Sequence, residues 1–353
     1  MKHFFKTLLQ SSFLACVCYY IYIFPTKTFL NWGFNILVPT QNLILSTLLI
    51  SACISYYLRT KTKSILLKNI TYLGFGSLYF IALTTTLIVG LNQFFTINNA
   101  TNIYVSISIS SVLIIYAKYC GKIIKIKPLT FNSPKIKSKT TCVFISDIHI
   151  GSQSPKHLEK IVTKINSINP EFVLIGGDLV DSSSTTINDL ISLKKVNVPI
   201  YFITGNHEYY LKDSAKLLSN LDKIGITWLN NQAVTHNQFS IIGVNDNQSI
   251  EKKNKLITKK LTPNTYTIAV VHKPSCFDTL RKKPDLMLCG HTHNGQTFPF
   301  NLLVKLSFPK SYGLYKKEKK YLYVSSGAGT WGTKMRLGSA NEIITVTFTP
   351  KKT

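Results

Sequence analysis

Seven polar residues of this 353-residue chain share one feature, since each closely follows a short apolar run. They comprise two carboxylates, one amide and four imidazoles: Asp147, His149, Asp178, Asn206, His272, His291 and His293. Oxygen and imidazole donors without a thiolate suit Mn, Fe, Zn or Co. Seven donors are too many for one tetrahedral ion and match the needs of two. A carboxylate shared by ions about 3.5–4 Å apart would clamp the attacking and leaving oxygens of phosphoryl transfer.

Chance is the alternative explanation, because isolated histidines are usually ordinary surface or core residues. We interpret His3, His157 and His236 in that way. The other five of the eight histidines follow apolar runs and lie near Asp, Asn or Gly. This clustering favours a shared site.

The runs that lead into these residues are predicted strands, at 141–146, 172–175, 199–203, 265–271 and 285–289. Between them, an amphipathic helix is predicted over 154–168 from the spacing of Leu158, Ile161, Ile165 and Ile168. A further helix is predicted near 186–194. Strands alternating with helices predict an α/β domain over 141–353, and such domains place their sites in the loops after strand ends.

The N-terminal part of the chain has a different composition. The whole chain has 41 Lys and Arg against 15 Asp and Glu, yet residues 1–140 contain no acid. Four apolar stretches, at about 8–24, 41–58, 70–91 and 102–117, approach the roughly 20 residues that cross hydrocarbon. We therefore predict an all-α transmembrane domain of about four helices over 1–121. The fourth stretch alternates like a strand, but its length without charge favours a helix. A cleavable signal peptide would explain only residues 1–24.

Basic residues are unevenly distributed over the predicted loops. They cluster after the second and fourth spans, at Arg59, Lys61, Lys63, Lys68, Lys118, Lys122, Lys125 and Lys127, whereas the loop at 92–102 has none. The positive-inside rule then predicts a multi-pass inner-membrane protein with both termini and the catalytic half on the cytoplasmic side. The three cysteines of that half have apolar neighbours, and their odd number argues against a complete disulfide framework. Residues 122–140 are predicted to be a basic linker, either a solvated tether or a contact with anionic headgroups.

The order of the motifs resembles the calcineurin-like metallophosphoesterases over about 141–349. The matching blocks are Asp-x-His at 147–149, Gly-Asp at 177–178, Gly-Asn-His-Glu at 205–208, His272, and Gly-His-Thr-His at 290–293. The segments 290–296 and 325–336 are similar to the bacterial membrane-associated branch. The resemblance implies a four-layer α/β/β/α metallophosphoesterase sandwich with two metals at its centre, here preceded by the transmembrane domain.

The resemblance also implies roles for individual residues. Asp147, His149 and His293 would hold the first metal, Asp178 would bridge, and Asn206, His272 and His291 would hold the second. His207 would contact the phosphate and stabilise charge or protonate the leaving oxygen, with Glu208 or Asp181 orienting it. The nucleophile would be a hydroxide bridging two divalent ions, Mn, Fe, Zn or Mg. Two departures, Glu208 for a frequent Asp and Asn294 for a frequent Gly, affect loop shape near the substrate rather than the metal donors.

The expected substrate is a phosphate ester, with monoester, diester and pyrophosphate all left open. The apolar loop at 297–309, which carries Lys305, could rest on the bilayer and receive a lipid-borne phosphate such as UDP-2,3-diacylglucosamine. It could equally be a buried flap that packs on the sheet.

Three other functions are weighed against this hypothesis. A phosphodiesterase acting on nucleotides or nucleic acid would use the lysine clusters at 252–260 and 316–320. Nucleic acid is not favoured, because these clusters lack interleaved aromatics apart from Tyr315 and Tyr321. A non-catalytic membrane scaffold would have lost donors, and none of the seven is missing. A transporter is not favoured, because the spans contain no acid. The oligomeric state is left open.

Overall fold

A computed structural model describes residues 2–60 and 65–351 and divides into two units, Met1–Lys118 and Tyr119–Thr353. The first unit is built from helices. They are α1 (Lys2–Cys18), α2 (Phe24–Phe34), α3 (Thr40–Thr60), α4 (Ile65–Leu73), α5 (Tyr79–Leu91) and α6 (Asn99–Lys122), the last of which ends just inside the second unit. The π-helical turns Tyr19–Ile23 and Gly74–Leu78 join α1 to α2 and α4 to α5.

Three helical segments of the described residues are long and apolar enough to cross a bilayer: Leu9–Phe34, Ile70–Leu91 and Asn99–Lys122. They correspond to the first, third and fourth predicted spans, and the strand-like alternation of the fourth lies within helix α6. The predicted second span at 41–58 coincides with α3, which is not among the three candidates.

Hydroxyl groups and glycine hold the helices of this unit together. The Oγ1 of Thr84 on α5 lies 2.6 Å from the Oγ of Ser110 on α6, and the hydroxyl of Tyr22 donates to the carbonyl of Ile70 at 2.6 Å. A Cβ at Gly74 would overlap the Tyr22 ring, so this close approach requires glycine. Such small and hydroxyl-bearing contacts are typical of helix packing in membranes.

The second unit contains two six-stranded sheets. The strands are β1 (Ile124–Ser133), β2 (Thr140–Ile145), β3 (Phe172–Ile175), β4 (Ile200–Phe202), β5 (Ile226–Trp228), β6 (Ala233–His236), β7 (Phe239–Val244), β8 (Tyr266–Val271), β9 (Leu286–Cys289), β10 (Gly313–Lys317), β11 (Lys320–Val324) and β12 (Asn341–Pro350). Their orders are β1-β12-β2-β3-β4-β5 and β10-β11-β9-β8-β7-β6. The central strands β2 to β5 are parallel to one another, as are β7, β8, β9 and β11.

Helices cover the outer faces of both sheets. They are α7 (Pro155–Ile168), α8 (Ser214–Leu218) and α9 (Ile250–Lys260). A further helix, α10 (Phe300–Ser307), has no buried residue. Side chains of β2 alternate between two cores, since Val143 and Ile145 face the α7 side while Phe144 faces the second sheet. A third core lies between the second sheet and α9. The four-layer α/β/β/α sandwich is therefore confirmed.

The helix predicted near 186–194 is present as the 3-10 helix Ile187–Lys195. Two other segments differ from the predictions in type. Within the predicted linker at 122–140, residues Ile124–Ser133 form β1, which pairs in parallel with β12 along its whole length. The backbone of this segment therefore hydrogen-bonds to β12, and the side chain of Phe131 is buried between the sheets. The predicted loop at 297–309 contains helix α10, none of whose residues is buried, so the buried-flap alternative is wrong.

Candidate metal centre

The carboxyl ends of five strands, three from one sheet and two from the other, deliver the predicted donors. Strands β2, β3 and β4 precede Asp147, Asp178 and Asn206, and β8 and β9 precede His272 and His291. Parallel strands end at the same edge of a sheet, so these loops meet at the seam between the two sheets. The fold thus brings donors that are far apart in sequence to one place.

Two groups of donor atoms, each within 4.8 Å of one another, form at this seam. The first consists of Asp147, His149 and His293, and the second of Asp178, His272 and His291. His149 also belongs to a third group with Asp181 and His207. The loop of Asn206 lies against the second group, because the N–H of the following residue, His207, donates to Asp178 Oδ1 at 2.8 Å.

Several donor atoms lie close together at this seam. His149 Nε2 lies 3.0 Å from His293 Nε2. His272 donates through Nδ1 to the carbonyl of Gly176 at 2.8 Å, and its Nε2 lies 3.1 Å from Asp178 Oδ2. Among the described residues, the Oδ1 of Asn206 is buried without a hydrogen-bond partner. A buried cluster of oxygen and imidazole groups of this kind fits divalent metal ions.

Burial and neighbouring charge act in opposite directions on the two central carboxyl groups. Burial raises the pKa of Asp147, which is fully buried. Burial acts in the same direction on Asp178, but His272 and His149 outweigh it and hold the pKa of Asp178 well below its usual value. The Asp178 carboxylate in turn outweighs burial at His272 and raises the pKa of that imidazole to about 10. A strong attraction for positive charge therefore centres on Asp178.

The backbone at these donors is unusual. Five of them have φ in the left-handed region: Asp147 (53°), His149 (56°), Asp178 (51°), His291 (74°) and His293 (50°). This region is disfavoured for residues with a side chain and is found mainly at constrained functional loops. Gly177 is also left-handed, with φ 92°, and a Cβ there would lie 2.5 Å from the Gly205 nitrogen. The loops after β3 and β4 can approach only because this residue is glycine.

Glu208 ties those two loops together. Its Oε2 accepts from the N–H of Asp178 at 3.1 Å and of Gly205 at 2.7 Å, and its Oε1 accepts from the N–H of Val180 at 3.1 Å. The side chain is buried, and burial raises its pKa to about 7. Its hydrogen bonds all go to the backbone of the donor loops. Glu208 therefore positions His207 through the backbone that joins the two residues and not through a side-chain hydrogen bond.

Asp181 holds His149 from the other side. Its Oδ2 lies 3.4 Å from His149 Nδ1, and its two oxygens accept from the N–H of Ser152 at 2.8 Å and from the Ser152 hydroxyl at 2.5 Å. An outer carboxylate of this kind fixes the orientation of an imidazole donor. It leaves the other ring nitrogen, Nε2, directed at His293.

Arg336 supports the site, but in the sequence analysis it was only included in the segment 325–336 and was given no role. It is fully buried, and its guanidinium donates to the carbonyl of His293 at 3.1 Å and to Asn341 Oδ1 at 2.6 Å. Its remaining hydrogen bonds go to Ser326, Gly329 and Ser339. Burial lowers its pKa to about 10, so it stays charged at neutral pH. Arg336 thus connects the loop of His293 to the C-terminal strand. The sequence does not show the hydrogen-bond partners of Arg336, so this role could be assigned only from the structure.

One of the two lysine clusters does not form a continuous basic face. On α9, Lys253 is buried, and its Nζ lies 2.7 Å from Asp246 Oδ1. The second oxygen of Asp246 binds Lys273 at 2.6 Å. A part of the positive charge at 252–260 is therefore neutralised inside the unit.

The fold and the site together define an α/β protein with a candidate metal centre of carboxylate, amide and imidazole groups. Residues 140–295 match the family described as calcineurin-like phosphoesterase. The chain is 34% identical over 264 residues to an uncharacterized metallophosphoesterase of Campylobacter jejuni, covering 70% of each chain. The chain belongs to the calcineurin-like metallophosphoesterases, a family of metal-dependent phosphoesterases.

Two further relatives have similar names. An uncharacterized metallophosphoesterase of Helicobacter pylori is 35% identical over 240 residues, or 64% of this chain and 64% of that protein. A transmembrane protein with metallophosphoesterase domain from Danio rerio is 30% identical over 268 residues, or 67% of this chain and 60% of that protein. The match therefore spans slightly less than two thirds of the length of these two relatives.

The Glu208 contacts predict the effect of an isosteric change. Glu208→Gln keeps the size of the side chain but replaces one accepting oxygen with an NH₂ group. That group would face a backbone N–H whose acceptor in the wild type is the Glu208 carboxylate. We expect the free energy of unfolding to fall by about 1–3 kcal/mol, the typical cost of an unsatisfied buried group. Thermal and denaturant unfolding of the full chain in detergent would measure it. The matched control is Glu159→Gln on the exposed face of α7, and equal stability of both variants would contradict the assigned role.

Proposed function

We propose that this chain is a membrane-anchored phosphoester hydrolase that works with two divalent metal ions. The observation that carries the proposal is the convergence of carboxylate, amide and imidazole groups at the seam of the sheets. Asn206 Oδ1 is buried there without a hydrogen-bond partner among the described residues. Such a donor set can neutralise the charge of a phosphate and activate water, and it needs no Ser or Cys nucleophile.

In this proposal the donors divide between two ions. Asp147, His149 and His293 would hold one ion, His272, His291 and Asn206 would hold the other, and Asp178 would contribute to both. When bound, the ions, Mn, Fe, Zn or Mg, would polarise the phosphoryl group and lower the pKa of water. Asp181 keeps His149 oriented, and Arg336 keeps the His293 loop in place.

His207 is proposed to contact the substrate phosphate. Burial and the neighbouring His149 lower the pKa of His207 to about 4, so the free side chain is neutral at neutral pH. A neutral imidazole can still donate one N–H to a phosphate oxygen and stabilise the charge that develops on it. The backbone N–H of His207, bound to Asp178, fixes the distance of this side chain from the donors.

Removal of the central carboxylate tests the metal centre. The full chain, stripped with chelator and reloaded with Mn²⁺, should bind two ions and hydrolyse bis-p-nitrophenyl phosphate or p-nitrophenyl phosphate. Asp178→Asn should lower the metal content and reduce kcat/KM by at least about 100-fold, because it removes the charge to which both ions bind. Elemental analysis and absorbance assays give both quantities.

Asp278→Asn is the matched control for this substitution, since the Asp278 side chain is 52% exposed and pairs only with Lys310 among the contacts described. It should retain metal and activity. A wild-type chain that binds no divalent ion would refute the proposed metal centre.

We further propose that the substrate is borne by a lipid and that α10 lies at the bilayer surface beside the site. Leu302, Leu303 and Leu306 on this helix are 53%, 54% and 81% exposed. No acid occurs in the helix, and Lys305 is exposed between these leucines. Leucines that enter the acyl region with a lysine at headgroup level are typical of helices that lie in a membrane interface.

Helix α10 is also close to the metal centre along the chain and in space. It begins seven residues after His293, and Gly295 lies so close to Asn301 that a Cβ on the glycine would be 2.2 Å from the Asn301 Cα. At the end of the helix, the Phe308 ring packs against the His291 ring at 5.2 Å. A phosphate at the bilayer surface would therefore enter beside α10.

Serine substitutions in α10 separate lipid presentation from chemistry. We expect Leu302, Leu303 and Leu306→Ser to reduce kcat/KM on hexadecyl p-nitrophenyl phosphate in vesicles by about tenfold or more, because apolar contact with acyl chains is lost. Activity on soluble methyl p-nitrophenyl phosphate should change less than about twofold. Ile191→Ser and Ile250→Ser, at exposed apolar residues elsewhere, are the controls. Equal losses on both esters would refute the lipid proposal.

We propose a cytoplasmic location for the second unit, in an inner-membrane protein. The support is the distribution of basic residues in the loops of the first unit, which follows the positive-inside rule. The relative from Danio rerio is described as a transmembrane protein, which is consistent with a membrane location.

Cysteine labelling tests this orientation. In a background where Cys16, Cys53 and Cys120 are serine, the other cysteines of the second unit are buried. Lys316→Cys, exposed in the second unit, should react with a membrane-impermeant maleimide in inverted vesicles and not in right-side-out vesicles. Gln93→Cys, in the loop without basic residues, should show the reverse. The opposite pattern would place the catalytic unit outside.

A further inference from the structure

Two exposed aromatic rings flank His207. The ring of Tyr210 lies 5.4 Å from the His207 ring, and the ring of Trp331 lies 5.9 Å from it. Tyr210 is 55% exposed and Trp331 is 53% exposed. We refer to Tyr210 and Trp331 as the aromatic bracket. Among the described residues, Trp331 belongs to none of the three hydrophobic cores of the unit.

The backbone of Trp331 is held in place although its ring is exposed. The Trp331 N–H donates to Gln296 Oε1 at 2.9 Å, and Gln296 Nε2 donates back to the Trp331 carbonyl at 3.0 Å. On either side, Thr330 Oγ1 accepts from Gln153 at 2.5 Å and the Gly332 N–H donates to Ser152 Oγ at 3.1 Å. The loop is therefore fixed at three consecutive residues.

The backbone of Tyr210, the second residue of the bracket, is connected to the loops that carry the donors. Tyr210 ends the 3-10 turn Glu208–Tyr210, and its N–H donates to the His207 carbonyl at 3.0 Å. Glu208 at the start of this turn is anchored to the donor loops. Both rings are thus attached to rigid backbone at the mouth of the site.

An exposed indole on a fixed backbone is a feature of binding surfaces rather than of folding. Burial of a Trp side chain would favour folding, and here about half of that surface remains available. Rigid aromatic rings give contact area at a small entropic cost, and they stack on nucleobases and on the flat faces of sugars. A group esterified to a phosphate that contacts His207 would lie within reach of these rings, whose centroids are 5.4 and 5.9 Å from the His207 ring.

We propose that the aromatic bracket binds a ring, a nucleobase or a sugar, that is attached to the phosphate held in the metal centre. This inference rests on the proposed function and adds the class of the headgroup to it. The bracket would contribute to the selection of ring-bearing phosphate esters over simple ones. In chemical terms, the shared property of the ligand is a flat face that stacks on an indole or phenol ring.

Titration of three phosphates into the full chain loaded with Mn²⁺ in detergent tests the proposal. Uridine 5′-monophosphate presents a base and a sugar, glucose 1-phosphate presents a sugar alone, and inorganic phosphate presents neither. Trp331→Ala should raise the Kd of at least one ring-bearing ligand by about tenfold, the range expected from loss of one stacked ring. The ratio of that Kd to the Kd of inorganic phosphate should rise by a similar factor. Trp331→Phe, which keeps a ring, should restore most of the affinity.

The outcomes separate the two proposals and the two sources of the ring. A loss confined to the uridine nucleotide identifies the base, and a loss shared with glucose 1-phosphate identifies the sugar. If Trp331→Ala and the exposed control Ile191→Ala bind all three ligands as the wild type does, the bracket is refuted while the metal centre stands. If the wild type binds no phosphate in the presence of Mn²⁺, both proposals fail.

Discussion

The burial of two carboxyl groups among imidazoles is the constraint on which the second unit depends. Asp147 and Asp178 lie at the seam of two sheets with almost no exposure, and their donor groups are completed by imidazoles. Because burial removes water from this cluster, bound cations would stabilise it. The neighbouring residues serve this arrangement: Glu208 joins the donor loops, Asp181 orients His149, and Arg336 fixes the loop of His293.

The strands of the second unit and the neighbourhood of its donors could be predicted from local patterns, whereas its four layers were implied by the family resemblance. Apolar runs of four to seven residues are long enough to mark strands, and polar residues after them mark the edge where parallel strands end. The strand β1 was not predicted, because its pattern of lysines and isoleucines resembles a basic tether and its partner β12 lies more than 200 residues away. Pairing at such distance leaves no local signal.

Side-chain partnerships could not be predicted for a similar reason. A role for Glu208 in orienting His207 was expected from motif order, whereas its hydrogen bonds go to three backbone N–H groups in two loops. The pinning of Trp331 by Gln296 joins residues that are 35 positions apart. The helix at α10 was mistaken for a loop because the flanking prolines and the short length conceal its periodicity. In each case tertiary contact, and not composition, determines the outcome.

The left-handed backbone at five donor positions also restricts which chemistry the centre can adopt. Asp, Asn and His are among the non-glycine residues that tolerate this conformation, whereas β-branched residues do not. These residues also supply oxygen and imidazole ligands. The left-handed backbone and the preference of the metal therefore favour the same few residue types. Exchange of a donor for Glu or Cys would add backbone strain to any change in ligand softness. Adaptation of this centre to another metal is therefore easier through the residues that surround the donors than through the donors themselves.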